Sequence, residues 1–181
     1  MKTKHMIVTA LCITLGVVLP LTLHAVPNAG SVFLPMHIPV LLCGLLCGPA
    51  CGLVGGLLTP VLSALLTGMP PASVLPGMVC ELAVYGLAAG LLLSVIRVRK
   101  PAAGLYLSLI LSMLAGRLVA GVANALIFQA GRYSFSMWIT ASFVKSLPGI
   151  AIQIVLIPAL VLGLKQAALL GKDSGLYSAN K

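Results

Sequence analysis

The chain is predicted to be an all-α integral membrane protein, a bundle of six transmembrane helices with both termini on the cytoplasmic side. Three observations carry that reading. Of its 181 residues, 60% are hydrophobic and 7% are charged, with a mean hydropathy of +1.17. A soluble domain of this size cannot hide so much apolar surface. The apolar residues fall into runs that suit helices of roughly 20 residues, the length needed to cross a bilayer core. Low aromatic content and unbroken runs do not resemble barrel strands. Finally, the basic residues gather at the ends of the runs, where they set membrane topology.

The first segment runs from Met6 to Leu23. Lys2 and Lys4 before it superficially suit a cleavable leader, but at 18 residues it is long for a signal core and long enough to span, so it is expected to be a retained helix, kinked at Pro20. The connection AVPNAG leads to segment two, Val32 to Cys47, short and opened by Pro35 and Pro39. Gly48-Pro49 is expected to make a tight turn into segment three, Ala50 to Leu66, followed by the proline-rich outer loop GMPPASVLPG. Segment four, Met78 to Ile96, ends in RVRKP, a cytoplasmic stop. Segment five covers Ala103 to Phe128, and QAGRYSFS returns the chain to segment six, Met137 to Leu164, which contains Pro148 and Pro158. Residues 1–170 thus form one transmembrane domain and 171–181 a polar cytoplasmic tail.

Eight of the eleven basic residues fall on the side of the termini: Lys2, Lys4, Arg97, Arg99, Lys100, Lys165, Lys172 and Lys181. Arg132 lies in an opposite loop, and Arg117 and Lys145 fall within membrane segments. The net charge of +9 therefore reads as a topology signal and not as a nucleic-acid surface. Cys43, Cys47 and Cys51 are spaced four apart, but Gly48-Pro49 interrupts them and no histidine or carboxylate joins the set, so no metal is expected. Glycines four apart, at 44, 48, 52 and 56, at 86 and 90, and Gly116 with Ala120 suit close helix contact in lipid. No internal repeat supports an inverted-repeat carrier.

The chain holds two acids, Glu81 and Asp173. Glu81, Arg117 and Lys145 each sit in an apolar run. An ionisable group in hydrocarbon costs several kcal/mol unless it faces the bundle interior and finds a partner. The three imply a polar site inside the bundle with a formal charge of +1 left over, which suits an anionic ligand such as a carboxylate. Asn124 lies two turns beyond Arg117 on the same helix face as Gly121, Gln129 closes that face outside, and His37 and Tyr85 can join it. Two plainer readings stand beside this one: a Glu81 ion pair with Arg117 or Lys145 that only fixes helix register, and a Lys145 that reaches to the outer interface. With one membrane acid and scattered histidines (His24 and His37 among them), the chain is not expected to be an enzyme.

The runs FLPMHIPVLLCGLLCGP, GLVGGLLTPVLSALLTGMPP and ELAVYGLAAGLL, with MLAGRLVAG and PGIAIQIVLIPALVLGL after them, resemble the substrate-binding (S) component of energy-coupling factor (ECF) vitamin transporters, over about residues 6 to 165. The branch it is most similar to is one linked to pantothenate. The resemblance implies six helices in a prokaryotic plasma membrane. It also implies a vitamin or precursor bound near the outer face, and association with a transmembrane coupling subunit and two cytoplasmic ATPase subunits. The S component would topple to carry its cargo inward, with ATP used only by the partners. The chain has no GxxxxGK[ST] loop of its own. The family's Ala-x-x-x-Ala docking pattern has its nearest match at Ala10 and Thr14, followed by Gly16, with the second alanine missing. The loops around Pro27 to Pro35 and GMPP would close over the ligand, with Met36, His37 and Pro39 at the rim.

The expected function is therefore an ABC-type importer's binding subunit for a small carboxylate-bearing vitamin, pantothenate preferred. Arg117 or Lys145 would pair with the carboxylate, and Glu81 would orient that cation or accept ligand hydroxyls. Asn124, Gln129 and His37 would supply neutral hydrogen bonds, and Tyr85 or Trp138 an apolar wall with a polar tip. Biotin, lipoate or a queuosine precursor are alternative cargoes. A stand-alone carrier or channel and a non-binding membrane scaffold are alternative functions.

Overall fold

The computed structural model describes residues 3–22, 29–96, 98, 101–131 and 133–166. All regular elements among them are helical: α1 (Thr3–Thr22), α2 (Ala29–Phe33), α3 (His37–Cys47), α4 (Pro49–Thr67), α5 (Leu75–Val95), α6 (Pro101–Ala123), α7 (Phe135–Ile139) and α8 (Leu147–Gln166). Wider π-helical turns continue α6 over Asn124–Phe128 and α7 over Thr140–Val144. Lys2, His24, Arg97, Arg99, Lys100, Arg132, Lys172 and Lys181 lie outside the described residues, as do the side chain of Lys165, most of the AVPNAG connection and the 171–181 tail.

Five helices are long and apolar enough to cross a membrane: α1, α4, α5, α6 with its π turn, and α8 over Leu147–Leu164. The expected second segment differs. It divides at Leu34–Met36 into α2 and an α3 of 11 residues. At 1.5 Å per residue α3 rises about 16 Å, roughly half a hydrocarbon core. The break falls at Pro35, which has no N–H to continue a helix from the preceding turn, and Leu34 there adopts a positive φ of 50°. The expected sixth segment is also interrupted. Pro148 restricts the residue before it, and the chain leaves its π turn at Lys145-Ser146 before α8 begins at Leu147.

Other boundaries reflect local chemistry. Gly48 (φ 91°) turns the chain between α3 and α4, its N–H donating to the Gly44 carbonyl at 3.0 Å, and Pro49 starts α4 where a missing N–H costs nothing. Ser134 caps α7, its Oγ accepting from the Met137 N–H at 3.3 Å.

α5 is the spine of the bundle, with its most extensive contacts to α4, α6 and α3, while α1 lies against α4 and α3. The short α3 is buried along nearly its whole length, as an all-round apolar helix should be. The expected small-residue contacts are present and are backbone on backbone. A Cβ on Gly52 or Gly44 would strike the Gly86 carbonyl, one on Gly56 the Leu82 carbonyl, and one on Gly90 the Gly48-Pro49 turn. Only glycine permits that approach, and in lipid it lets dispersion between backbones hold helices together. Around the glycines, Leu41, Leu45, Leu105, Leu109, Ile157 and Val161 belong to a core with at most 1% exposure each.

Candidate ligand-binding site

Four elements bring polar side chains to one interior region. Glu81 and Tyr85, one turn apart on α5, share a face, and His37 opens α3 directly against them. The His37 Nε2 lies 3.7 Å from Glu81 Oε1, an ion pair when the imidazole is protonated. The His37 ring meets the Tyr85 ring edge-on, with centroids 5.3 Å apart. Tyr85 lies flat against Gly116 of α6, where a Cβ would overlap its ring and sit 2.9 Å from the Glu81 carbonyl. Its buried hydroxyl hydrogen-bonds to none of the described residues.

Arg117, one residue beyond Gly116, is 3% exposed. Its Nη1 donates to Ser146 Oγ at 2.9 Å, and that hydroxyl donates on to the Ser142 carbonyl at 2.6 Å. The guanidinium lies over the Phe143 ring, 5.6 Å from its centroid. Trp138 Nε1 donates to the Arg117 carbonyl at 3.1 Å, and its indole rests on Gly121. Thus α6 supplies the cation, while the second π turn and its exit supply the groups that hold it. The remaining guanidinium donors, Nε and Nη2, have no partner among the described residues. These two atoms share one edge of the planar group, the edge that grips a carboxylate with two parallel bonds.

The other expected residues divide. Asn124, first in its π turn, lies against Gly77 of α5. Gln129 ends that turn half-buried, its carbonyl accepting from the Tyr133 N–H at 3.1 Å. Tyr133 covers this rim, and partial burial together with the Glu81 charge holds its phenol above the ordinary value of 10, with Asn124 acting in the opposite sense. Lys145 does not join: its side chain is exposed, and its N–H closes the π turn on the Thr140 carbonyl at 2.9 Å. The adjacent Ser146 takes the inward position instead. Among the described residues the charges at this site are then the partly exposed Glu81 and the buried Arg117, which balance, and a proton on His37 would restore one positive charge.

Sequence reasoning missed Ser146, Phe143 and Tyr133, as well as Gln153, which is fully buried on α8 with both amide atoms unpaired among the described residues. A glutamine inside IAIQIVLI was a visible signal. Beside the site, a groove of about 340 Å³ between α6 and α7 is lined by Leu118, Val122, Ala125, Phe135 and Trp138 with Tyr133. On α1, Ala10 and Thr14 are exposed on one face, while Gly16 is turned inward against Thr59 of α4. The cysteines are free thiols, four of them buried. No group of three or more potential metal ligands occurs among the described residues.

A family model described as "ECF transporter, substrate-specific component" matches residues 4–161. No curated protein and no solved structure gives a significant match.

Proposed function

Because this chain belongs to the ECF transporter substrate-specific component family, we propose that it captures a small carboxylate-bearing vitamin or precursor, pantothenate first among them, at the outer face of a prokaryotic plasma membrane. The family is a transporter component family and not an enzyme family, and it implies transmembrane and ATPase partner subunits and a small-molecule substrate. The chain crosses the bilayer six times in this reading, with α2 and α3 together forming the second crossing. Both termini lie on the cytoplasmic side, and the partners bring the ATP.

One observation carries the choice of a carboxylate: Arg117 is buried and held at Nη1, and its Nε–Nη2 edge is unpaired. Leaving charged donors unpaired in a dry interior costs more than leaving neutral ones. A carboxylate on that edge removes the cost with two charge-assisted bonds. The Glu81 carboxylate faces His37 Nε2 at 3.7 Å and offers hydroxyl-accepting oxygens to the rest of the ligand. Tyr85 and Trp138 wall the site, and Asn124, Gln129 and Tyr133 stand at its rim. Ala10 and Thr14 form the small face of α1 that is free to meet the coupling subunit, and Gly16 serves the bundle itself.

The test is a thermal-shift titration of the detergent-purified chain with pantothenate, biotin and lipoate. A saturable rise in melting temperature with one of them is expected. Arg117→Lys keeps a cation but loses the two-pronged edge and should weaken binding at least about tenfold, the loss of roughly one charge-assisted hydrogen bond. Unchanged affinity in Arg117→Lys and in Arg117→Ala would remove the carboxylate from that edge.

A further inference from the structure

Gln153 plays no part in the carboxylate site described above, yet it is the most anomalous side chain in the bundle. It is 0% exposed, and neither Oε1 nor Nε2 finds a partner among the described residues. An unpaired amide in a membrane interior is expensive and has no packing advantage over leucine or methionine. Its direction is set by the register of α8. The buried residues Ser146, Gly149, Gln153, Ile157 and Val161 recur every three or four positions, so they form one stripe facing α2, α3 and α6. Gln153 therefore lies on the stripe that begins with the Arg117 partner Ser146, seven residues or about 10 Å further along the axis. On the helices that α8 meets, the other unpaired buried side-chain atoms among the described residues are both His37 ring nitrogens on α3 and Nε and Nη2 of Arg117 on α6.

We propose that Gln153 is a ligand-reading residue at the inner end of the site, and that the cargo carries a neutral amide, ureido or hydroxyl group away from its carboxylate. This rests on the carboxylate reading of Arg117. An amide side chain both donates and accepts, so it matches a group that does the same. A site built this way rejects an analogue lacking the polar group, because binding would leave Gln153 buried and unpaired. Among carboxylated cofactors the proposal favours those with a distal amide or ureido, such as pantothenate and biotin. It disfavours lipoate, whose far end is an apolar dithiolane.

The experiment compares wild type and Gln153→Met, close in volume and without an amide, as full-length chains in detergent. It reads the ligand-free melting temperature and the affinities for pantothenate, biotin and lipoate. The expected result is an unchanged or higher ligand-free melting temperature, with roughly tenfold or greater weakening for whichever of pantothenate and biotin binds wild type. Any lipoate affinity should be unchanged or improved. A clearly lower ligand-free melting temperature would show that Gln153 is a structural residue and overturn the proposal. So would equal affinities in the two proteins, or a wild type that binds lipoate alone. If none of the three binds wild type, the carboxylate reading fails and this inference falls with it, an outcome distinct from a failure of Gln153 alone.

Discussion

Adding one methyl group at Gly116 should disturb the site more than removing any rim residue. A Cβ there would overlap the Tyr85 ring and come within 2.9 Å of the Glu81 carbonyl, closer than carbon and oxygen tolerate. The carbonyl belongs to a helix backbone and cannot turn aside, so α5 and α6 must separate or Tyr85 must leave its place. Overfilling of this kind costs typically about 1–3 kcal/mol. Tyr85 also meets His37 edge-on and shares a helix face with Glu81, so the displacement reaches His37 and Glu81 as well. Gly116→Ala should lower the melting temperature in detergent by several degrees and weaken ligand binding. Combining it with Tyr85→Leu, which withdraws the ring, should cost less than the sum of the two single changes, because they share one contact. A Gly116→Ala protein that melts and binds as wild type, or strict additivity in the double variant, would refute the account of how α5 and α6 meet.

Ser146→Ala removes the only hydrogen-bond partner of the Arg117 guanidinium among the described residues. It should destabilise the chain by about 1.5–3 kcal/mol, read as a lower melting temperature that ligand partly restores. Trp138→Phe keeps an aromatic wall over Gly121 but loses the bond to the Arg117 carbonyl. A loss of about 1 kcal/mol is expected, with any larger effect on affinity than on melting pointing to a ligand contact. Lys145→Gln changes an exposed side chain, and titration should find ligand affinity within about twofold of wild type. Tyr133 is held above its ordinary phenol value of 10 by partial burial and the Glu81 charge. A group with a raised folded value contributes stability below its unfolded value and loses it as pH climbs through the folded one. Tyr133→Phe should therefore flatten the alkaline decline in melting temperature above about pH 10.

The amino-acid sequence made legible those features that depend on composition and spacing along one helix. The runs that became α1, α4, α5 and α6 are visible because apolar length is a one-dimensional property. The glycines that became backbone contacts are visible because their spacing is. Glu81 and Tyr85 share a face by the same periodicity. The difficulties lay where rotation about a helix axis decides the outcome. Lys145 and Ser146 are neighbours, so turning one inward turns the other out, and a π turn just before them shifts the register that α-helical counting assumes. The division of the second segment at Pro35 was signalled by composition, but the consequence was not, since α3 is sheltered by neighbours that only the tertiary structure supplies. His37 gained its importance from Glu81, which lies 44 positions away in the chain.

The two π turns leave the rim of this bundle governed by arithmetic. Each contains a backbone loop one residue wider than the α-helix around it, so a single turn absorbs an extra residue while the chain on either side keeps its facing. Deleting one residue within Asn124–Phe128 would let the turn relax to ordinary helix with Gln129 and Tyr133 still in place, whereas a deletion in the regular part of α6 would swing everything beyond it by about 100° around the axis. Related chains could therefore gain or lose one position at these turns and exchange the side chains the wide turn itself presents, leaving Arg117, Glu81 and the glycine contacts untouched.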